Sequence, residues 1–378
     1  MKFSNLARFY ITLSMASAFL QILPTAMLAG FIREAPDKPQ CDYFYFGDVK
    51  AGDAGKIKDA ILPTASGTDL CLNSPGGNFE EGVKMFHTIW NLDSVRTRVV
   101  KGDICMSACA IAFMGGSMLE GTGVIRFRKS FVEPGSQLGF HSPILELPEG
   151  LQYSSEVVEF GYELALEDSA RMFQLTQINE HGVEGMSPYL FARILETPPS
   201  DMFMINTIGR ASLAKIPLAQ IPIHELTWNG IRNVCDTAFL LAEMGIVKRD
   251  GSRYGFSDLS DIGFDGTGRS IQFEDRTWSW STEDSMEFVV RGYPAAHYNE
   301  LFCQATLGRY NFERERELPL RERNDEFNMF NVTFWYDAYV PVDDTFALYA
   351  EGNSLVSVRL HVPWTAMWPP TTRLDRFE

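Results

Sequence analysis

Apolar residues in the first half of the chain follow two alternating patterns, short β-type runs and helix-spaced stripes. Within residues 78–91, for example, Phe79, Val83, Phe86 and Trp90 fall on one helical stripe. Taken in order, the patterns predict strands over residues 43–46, 70–72 and 96–100 and helices over 78–91, 107–114 and 154–181. This alternation predicts an α/β fold for residues 30–224.

The pattern changes after residue 225. Residues 271–293 and 332–362 are dense in aromatic and β-branched side chains, as strands are, and a helix predicted over residues 231–244 precedes them. A chain of 378 residues is long enough for two domains. We therefore expect a smaller β-rich accessory domain over residues 225–378.

Residues 1–29 have the pattern of an export signal. Lys2 and Arg8 give a basic start, residues 11–28 are mostly apolar and uncharged, and small residues surround Ala29, where a peptidase could cut. We therefore expect an exported protein, periplasmic or secreted. An uncleaved N-terminus that anchors the chain in a membrane is the alternative, although a proline interrupts the apolar run.

The composition restricts the class of partner. Hydrophobic residues make up 45% of the chain and charged residues 22%, which is typical of a globular protein, and the formal net charge is −16. Nucleic acid or an anionic membrane surface would require a basic face on the protein. Neither is therefore an expected partner.

Six cysteines in an exported chain permit disulfides. Cys105 and Cys109 are interpreted as a bridge or as small core residues rather than as reactive thiols. No cysteine pair has zinc-site spacing backed by histidines, so no metal is expected. The remaining candidate disulfides each lie within one predicted domain: Cys41 with Cys71, and Cys235 with Cys303.

Two segments have the residue types of an acyl-transfer site. The run Asn-Ser-Pro-Gly-Gly ends at Gly77, and its two glycines allow a turn whose N–H groups are free to bind an anion. Ser107 opens the small apolar helix, where the N–H of Ala108 can help to stabilise an oxyanion. The alternatives are an ordinary tight turn and a serine that only caps the helix.

Two further residues are candidates for the same chemistry. His141, in the run Gly-Phe-His, is the residue type that usually acts as general base for a serine nucleophile. Asp201 is an acid of the type that holds such a histidine in the required tautomer. Taken singly, each residue type is more often structural or at the surface.

Together these segments resemble the Clp-type serine protease domain in order and context. The resemblance rests on the Gly-Gly turn, the serine that opens a small-residue helix, His-x-Pro, a long helix and Asp-x-Phe, and it covers about residues 41–215. It extends to exported bacterial Clp-like proteins in which Gly-Asp (here Gly52-Asp53), Asn-Ser-Pro-Gly-Gly, Ser-Ala-Cys and Gly-Phe-His recur together. The fold that it implies is the crotonase-like spiral of ββα units.

The resemblance also implies roles for single residues. The nucleophile, the general base, the orienting acid and the two oxyanion N–H donors would be Ser107, His141, Asp201, Gly77 and Ala108. The expected function is an exported serine peptidase or hydrolase that acts on a protein or peptide substrate without a cofactor. Residues 154–181 would form contacts in a homo-oligomer, and an ATP-dependent unfoldase is not an expected partner outside the cytoplasm.

The chain departs from the family pattern at the nucleophile. Four residues separate Gly102 from Ser107 where Clp-type proteases have three, and Ala-Cys rather than Met-Gly follows the serine. The extra residue favours a non-catalytic binding or assembly protein that retains the fold, which is the main alternative function. Acyl-CoA chemistry of the crotonase kind has no supporting motif. A serine–lysine dyad with Lys101 or Lys129 as base has none either.

Overall fold

A computed structural model gives the architecture of the chain. The predicted export signal (residues 1–29) and parts of the predicted accessory domain lie outside the residues that it describes. The structure describes residues 30–62, 67–92, 94–120, 125–143, 152–177, 179–180, 183–224, 226–243, 272–274, 278–279, 285–293, 301–308, 329–336 and 358–377.

Strands and helices alternate through the described part of residues 30–224. The strands are β1 (Phe31–Glu34), β2 (Tyr43–Phe46), β3 (Thr68–Asn73), β4 (Val95–Val99), β5 (Ile104–Met106), β6 (Ser117–Glu120), β7 (Ile125–Arg128), β8 (Ser130–Val132), β9 (Gln137–Phe140), β10 (Asn179–Glu180), β11 (Val183–Glu184) and β12 (Phe203–Met204). The helices are α1 (Asp53–Ile61), α2 (Phe79–Asn91), α3 (Ala108–Phe113), α4 (Ser155–Gln177), α5 (Pro188–Glu196) and α6 (Ile208–Leu213).

Two sheets position the residues discussed below. The first has the order β1-β2-β3-β4-β8, in which β1 is antiparallel and the other strands are parallel. Helices α1 and α2 connect its successive parallel strands, as βαβ units require. The second sheet has the order β12-β9-β5, with β5 parallel to β9 and β12 antiparallel to it. The architecture is therefore mixed α/β, as the sequence predicts.

Most predicted elements have nearly the predicted bounds. The strand predicted over 43–46 is β2, and the helix predicted over 78–91 is α2, which Asn78 caps by accepting a hydrogen bond from the Glu81 N–H. The long helix predicted over 154–181 ends earlier, at Gln177. The residues that follow pair instead as the short strands β10 and β11.

The described part of residues 225–378 is a helix packed on an antiparallel sheet. The elements are α7 (Trp228–Glu243), β13 (Gln272–Glu274), β14 (Trp278–Ser279), β15 (Ser285–Tyr293), β16 (Leu301–Gly308), β17 (Met329–Tyr336) and β18 (Val358–Pro363), followed by short 3₁₀ helices at Trp364–Met367 and Leu374–Phe377. The sheet order is β13-β15-β16-β17-β18, with β14 beside β15.

The two regions share a core. Buried residues of both, from Tyr43 to Leu374, form one continuous hydrophobic cluster. The chain also returns to the first region after β18, where the Ile208 and Gly209 N–H groups donate to the backbone of residues 370–372. The Trp368 indole donates to the Pro222 carbonyl at 2.9 Å.

Three disulfides stabilise the described structure. Both pairings considered from the sequence are formed: Cys41 with Cys71, called here the N-terminal disulfide, and Cys235 with Cys303, which joins α7 to β16. The third disulfide links Cys105 to Cys109. Disulfides persist in oxidising compartments, so they indicate an extracytoplasmic environment. None of the helices in the described ranges is long and apolar enough to span a membrane.

Candidate active site

Ser107 lies in a sharp turn between β5 and α3. Its backbone angles are φ 55° and ψ −122°, a conformation that residues other than glycine rarely adopt. Its N–H donates to the Gly139 carbonyl at 2.9 Å, which fixes the turn against β9. Ser107 occupies the N-cap position of α3, but its hydroxyl makes no capping hydrogen bond. The Ser107 side chain therefore does not cap the helix.

Neighbouring contacts on both sides hold this strained turn. The Cys105–Cys109 disulfide, called here the elbow disulfide, closes a loop around Ser107, and both of its cysteines are fully buried. The Ser74 N–H donates to the Ile104 carbonyl at 2.7 Å, and the Met106 N–H donates to the Ser74 carbonyl at 3.0 Å. Strained residues persist only where the surroundings over-determine them, and they concentrate at functional sites.

His141 follows β9 at the end of the second sheet where Ser107 follows β5. Strands β5 and β9 are parallel with Met106 opposite Gly139, so Ser107 and His141 leave adjacent strands at the same end. Within the described part of the chain, no hydrogen bond joins the Ser107 hydroxyl to the His141 ring.

The His141 ring has a defined tautomer. Its Nδ1 lies 2.7 Å from the Ser142 carbonyl oxygen, which only accepts hydrogen bonds. The contact therefore requires a proton on Nδ1, which in the neutral ring leaves the lone pair on Nε2. This is the tautomer that a general base for a serine hydroxyl requires.

Asp201 lies near this histidine but is not hydrogen-bonded to it. Strand β12 pairs antiparallel with β9, and Phe203 lies opposite Phe140. Asp201 precedes Phe203 by two residues, so it lies at the end of β9 where His141 follows. Its side chain is exposed, and its carboxylate accepts from the Met202 N–H at 2.7 Å. The role of orienting acid stays a prediction for Asp201.

The Gly-Gly turn packs directly on the nucleophile turn. Gly76 has φ 104°, and a Cβ added to it would lie 2.7 Å from the Ser107 Cβ and 3.3 Å from the Ala108 nitrogen. The N–H groups of Gly77 and Ala108 make no hydrogen bond to any described residue. Two N–H donors with no partner among the described residues thus lie on two turns that pack against each other, one of them the serine's own turn.

Two features of the site do not follow from the sequence motifs. Val49 pairs with Gly77 in an isolated β-bridge and so anchors the Gly-Gly turn. A Cβ at Gly139 would lie within 2.7 Å of side-chain atoms of Met106, Met202 and Met204, so these half-buried methionines form an apolar patch beside the histidine. The period-two spacing of Met202 and Met204 is a signal that could have revealed the patch.

The lysines considered as bases are placed away from the serine. Lys101 precedes β5, whereas Ser107 follows it, so the strand separates the two residues. Lys129 is buried and precedes β8 in the first sheet. The described residues contain no cluster of histidine, cysteine and carboxylate side chains that could hold a metal ion. Comparison of the sequence with models of protein families and with curated protein sequences found no significant match.

Proposed function

We propose that this protein is an exported serine hydrolase, and specifically a peptidase, with Ser107 as nucleophile. The observation that carries the proposal is the pair of unbonded N–H groups, those of Gly77 and Ala108, next to a serine in a strained turn. A serine that served only as a helix cap would adopt an extended backbone and bond the helix N–H groups. Ser107 does neither.

The proposed fold of residues 30–224 is the crotonase-like spiral of Clp-type proteases. Its support is the succession β2-α1-β3-α2-β4, in which successive helices return the chain to parallel strands of one sheet. In a second sheet, β12-β9-β5, the serine and the histidine follow the carboxyl ends of the adjacent parallel strands β5 and β9. The motif order along the chain is the other support.

The proposed mechanism uses Ser107, His141 and two backbone N–H groups. The Ser107 Oγ attacks the scissile carbonyl carbon, and the His141 Nε2 accepts the hydroxyl proton. The carbonyl oxygen becomes an oxyanion and accepts hydrogen bonds from the Gly77 and Ala108 N–H groups. His141 then returns the proton to the leaving amine. A water molecule deprotonated by His141 attacks the acyl-enzyme, and His141 gives that proton to the departing Ser107 Oγ, which frees the serine.

The methionine patch favours a substrate that is apolar next to the scissile bond. Met106 and Met204 lie opposite Gly139 in the second sheet, and Met202 lies next to Phe203, which pairs with Phe140. All three are half-buried. Flexible thioether side chains adapt to apolar groups of different shape.

The non-catalytic binding protein remains the second candidate. The observation that favours it is the missing hydrogen bond between Ser107 and His141 in the described structure. Catalytic hydrogen bonds are often long in ligand-free enzymes and shorten when substrate binds. The missing bond alone does not separate the two candidates. They differ in whether the Ser107 hydroxyl reacts.

The proposed location is the periplasm or the medium, and the proposed assembly is a homo-oligomer through α4. The three disulfides support an extracytoplasmic location.

Helix α4 leaves large apolar side chains exposed, among them Val158, Phe160 and Tyr162. If copies associate through this helix, Phe160→Glu should give monomers in light scattering, whereas Glu163→Lys should not.

Fluorophosphonate labelling tests the proposed function. A fluorophosphonate reacts with a serine hydroxyl only when a base and an oxyanion hole activate it. We expect labelling of the wild type at Ser107, and loss of labelling in Ser107→Ala and His141→Ala. The matched control is His87→Ala, an exposed histidine on α2. A folded wild type that takes no label would support the binding protein instead.

A further inference from the structure

One residue, Val49, holds the turn that contains the Gly77 N–H. The Val49 N–H donates to the Gly76 carbonyl at 2.7 Å, and the Val49 carbonyl accepts from the Asn78 N–H at 2.9 Å. These two bonds lie on either side of Gly77. A Cβ at Gly77 would be only 2.4 Å from the Val49 oxygen, so the two backbones are in close contact. The position of Val49 therefore sets the position of the Gly77 N–H.

Val49 lies outside the strands, in the turn between β2 and α1, and Asp53 closes this turn. The Asp53 Oδ2 accepts from the Lys50 N–H and from the Tyr45 hydroxyl, each at 2.8 Å. The Asp53 N–H in turn donates to the Lys50 carbonyl at 3.1 Å. Tyr45 belongs to β2 and is fully buried. The carboxylate thus fastens the turn to the first sheet.

Asp53 is itself fully buried, and a buried carboxylate is costly unless it is paired and hydrogen-bonded. Lys56 Nζ lies 2.7 Å from its Oδ1 and supplies the opposite charge. Burial, and then the hydrogen bond to Asp53, raises the pKa of the Tyr45 phenol above its ordinary value, so the hydroxyl keeps its proton and donates. Both groups at Oδ2 are donors, which suits a carboxylate because it only accepts.

We propose that Asp53 is a positioning residue for the oxyanion hole: through the Val49–Lys50 turn it fixes the Gly77 N–H beside Ser107. The inference rests on the proposed hydrolase function. Asp53 touches no reacting atom, so its loss should affect the rate of bond formation at Ser107 more than the binding of the reagent.

The test measures how the rate of fluorophosphonate labelling depends on the concentration of the reagent. Losing one oxyanion donor slows acyl transfer by about 10²-fold or more. Asp53→Ala should therefore lower the maximal labelling rate by up to about 10²-fold, with a half-saturating concentration within about threefold of the wild type. Tyr45→Phe, which keeps the carboxylate, should lower the maximal rate by about tenfold.

Two variants separate positioning from stability. Lys56→Met removes the charge at Oδ1 and leaves both Oδ2 contacts, so its maximal labelling rate should equal that of the wild type. Asp53→Asn still offers an oxygen to the Lys50 N–H and should recover most of the rate that Asp53→Ala loses. Thermal unfolding of each variant shows which of them are folded.

The outcomes are distinguishable. An Asp53→Ala protein that labels at the wild-type maximal rate overturns the positioning role alone. If Asp53→Ala does not fold, a Tyr45→Phe protein with an unchanged maximal rate overturns it equally. Absence of labelling in the folded wild type overturns the proposed function, and this inference with it.

Discussion

Alanine at Gly76 is the most direct test of the contact between the Gly-Gly turn and Ser107. Gly76 has φ 104°, and an added Cβ would lie 2.7 Å from both the Ser107 Cβ and the Met106 oxygen. Non-bonded carbon atoms need at least about 3.5 Å, so the two turns must separate by about 1 Å. A misplacement of about 1 Å in an active site costs about 10²-fold in rate. We expect Gly76→Ala to slow fluorophosphonate labelling of Ser107 by that factor.

The same chain offers a control with the same backbone strain. Gly102 has φ 85°, and a Cβ added there meets nothing within 4 Å. Alanine with positive φ costs about 1–2 kcal/mol at either glycine, so Gly102→Ala controls for the backbone strain, and the clash at Gly76 adds a further loss of stability there. The assay compares labelling rates at a temperature where unfolding curves show both proteins to be folded. Equal labelling rates for Gly76→Ala and Gly102→Ala would refute the proposed role of this contact.

Three further predictions use the same assay or unfolding curves. The double variant Cys105→Ala with Cys109→Ala should slow labelling at least about tenfold and lower the free energy of unfolding by about 2 kcal/mol. Loss of the N-terminal disulfide should lower the free energy of unfolding by about 4 kcal/mol without slowing labelling. Asp201→Asn should slow labelling by about 10³–10⁴-fold if Asp201 is the orienting acid, and by less than about tenfold if the Ser142 carbonyl orients His141 instead. Burial raises the pKa of Glu133, so its folded form retains the proton that its unfolded form loses, and the contribution of Glu133 to stability falls as pH rises from about 4.5 through the folded pKa. Glu133→Gln should flatten that fall in pH-dependent unfolding, and an unchanged slope would contradict the assignment.

The sequence predicts the elements of the site better than their connections. The stripe of α2, the buried β3 and the serine that opens α3 are local patterns, so periodicity and small-residue runs reveal them. The anchoring of the Gly-Gly turn by Val49 depends on a long-range backbone bridge, and no side-chain pattern encodes such a bridge. Asp53 is part of the Gly-Asp motif, yet only its contacts with Lys50 and Tyr45 give it a role.

The histidine shows the same distinction. A base near the serine follows from the motif order, but the bond from its Nδ1 to the Ser142 carbonyl depends on the local path of the chain after β9. The early end of α4 at Gln177 has a similar origin. There the pairing of β10 with β11 replaces a helical turn that propensity alone would allow.

The backbone hydrogen bonds between residues 206–209 and 370–374 also determine when the site can be completed. Residues 203–204 form β12, which pairs with the strand that leads to His141. During synthesis and export a chain emerges N-terminus first, so Ser107 and the Gly-Gly turn emerge long before residues 370–374. The support behind β12 is missing until those residues arrive. If the protein is the proposed hydrolase, its activity should begin only after the chain has emerged as far as residue 374.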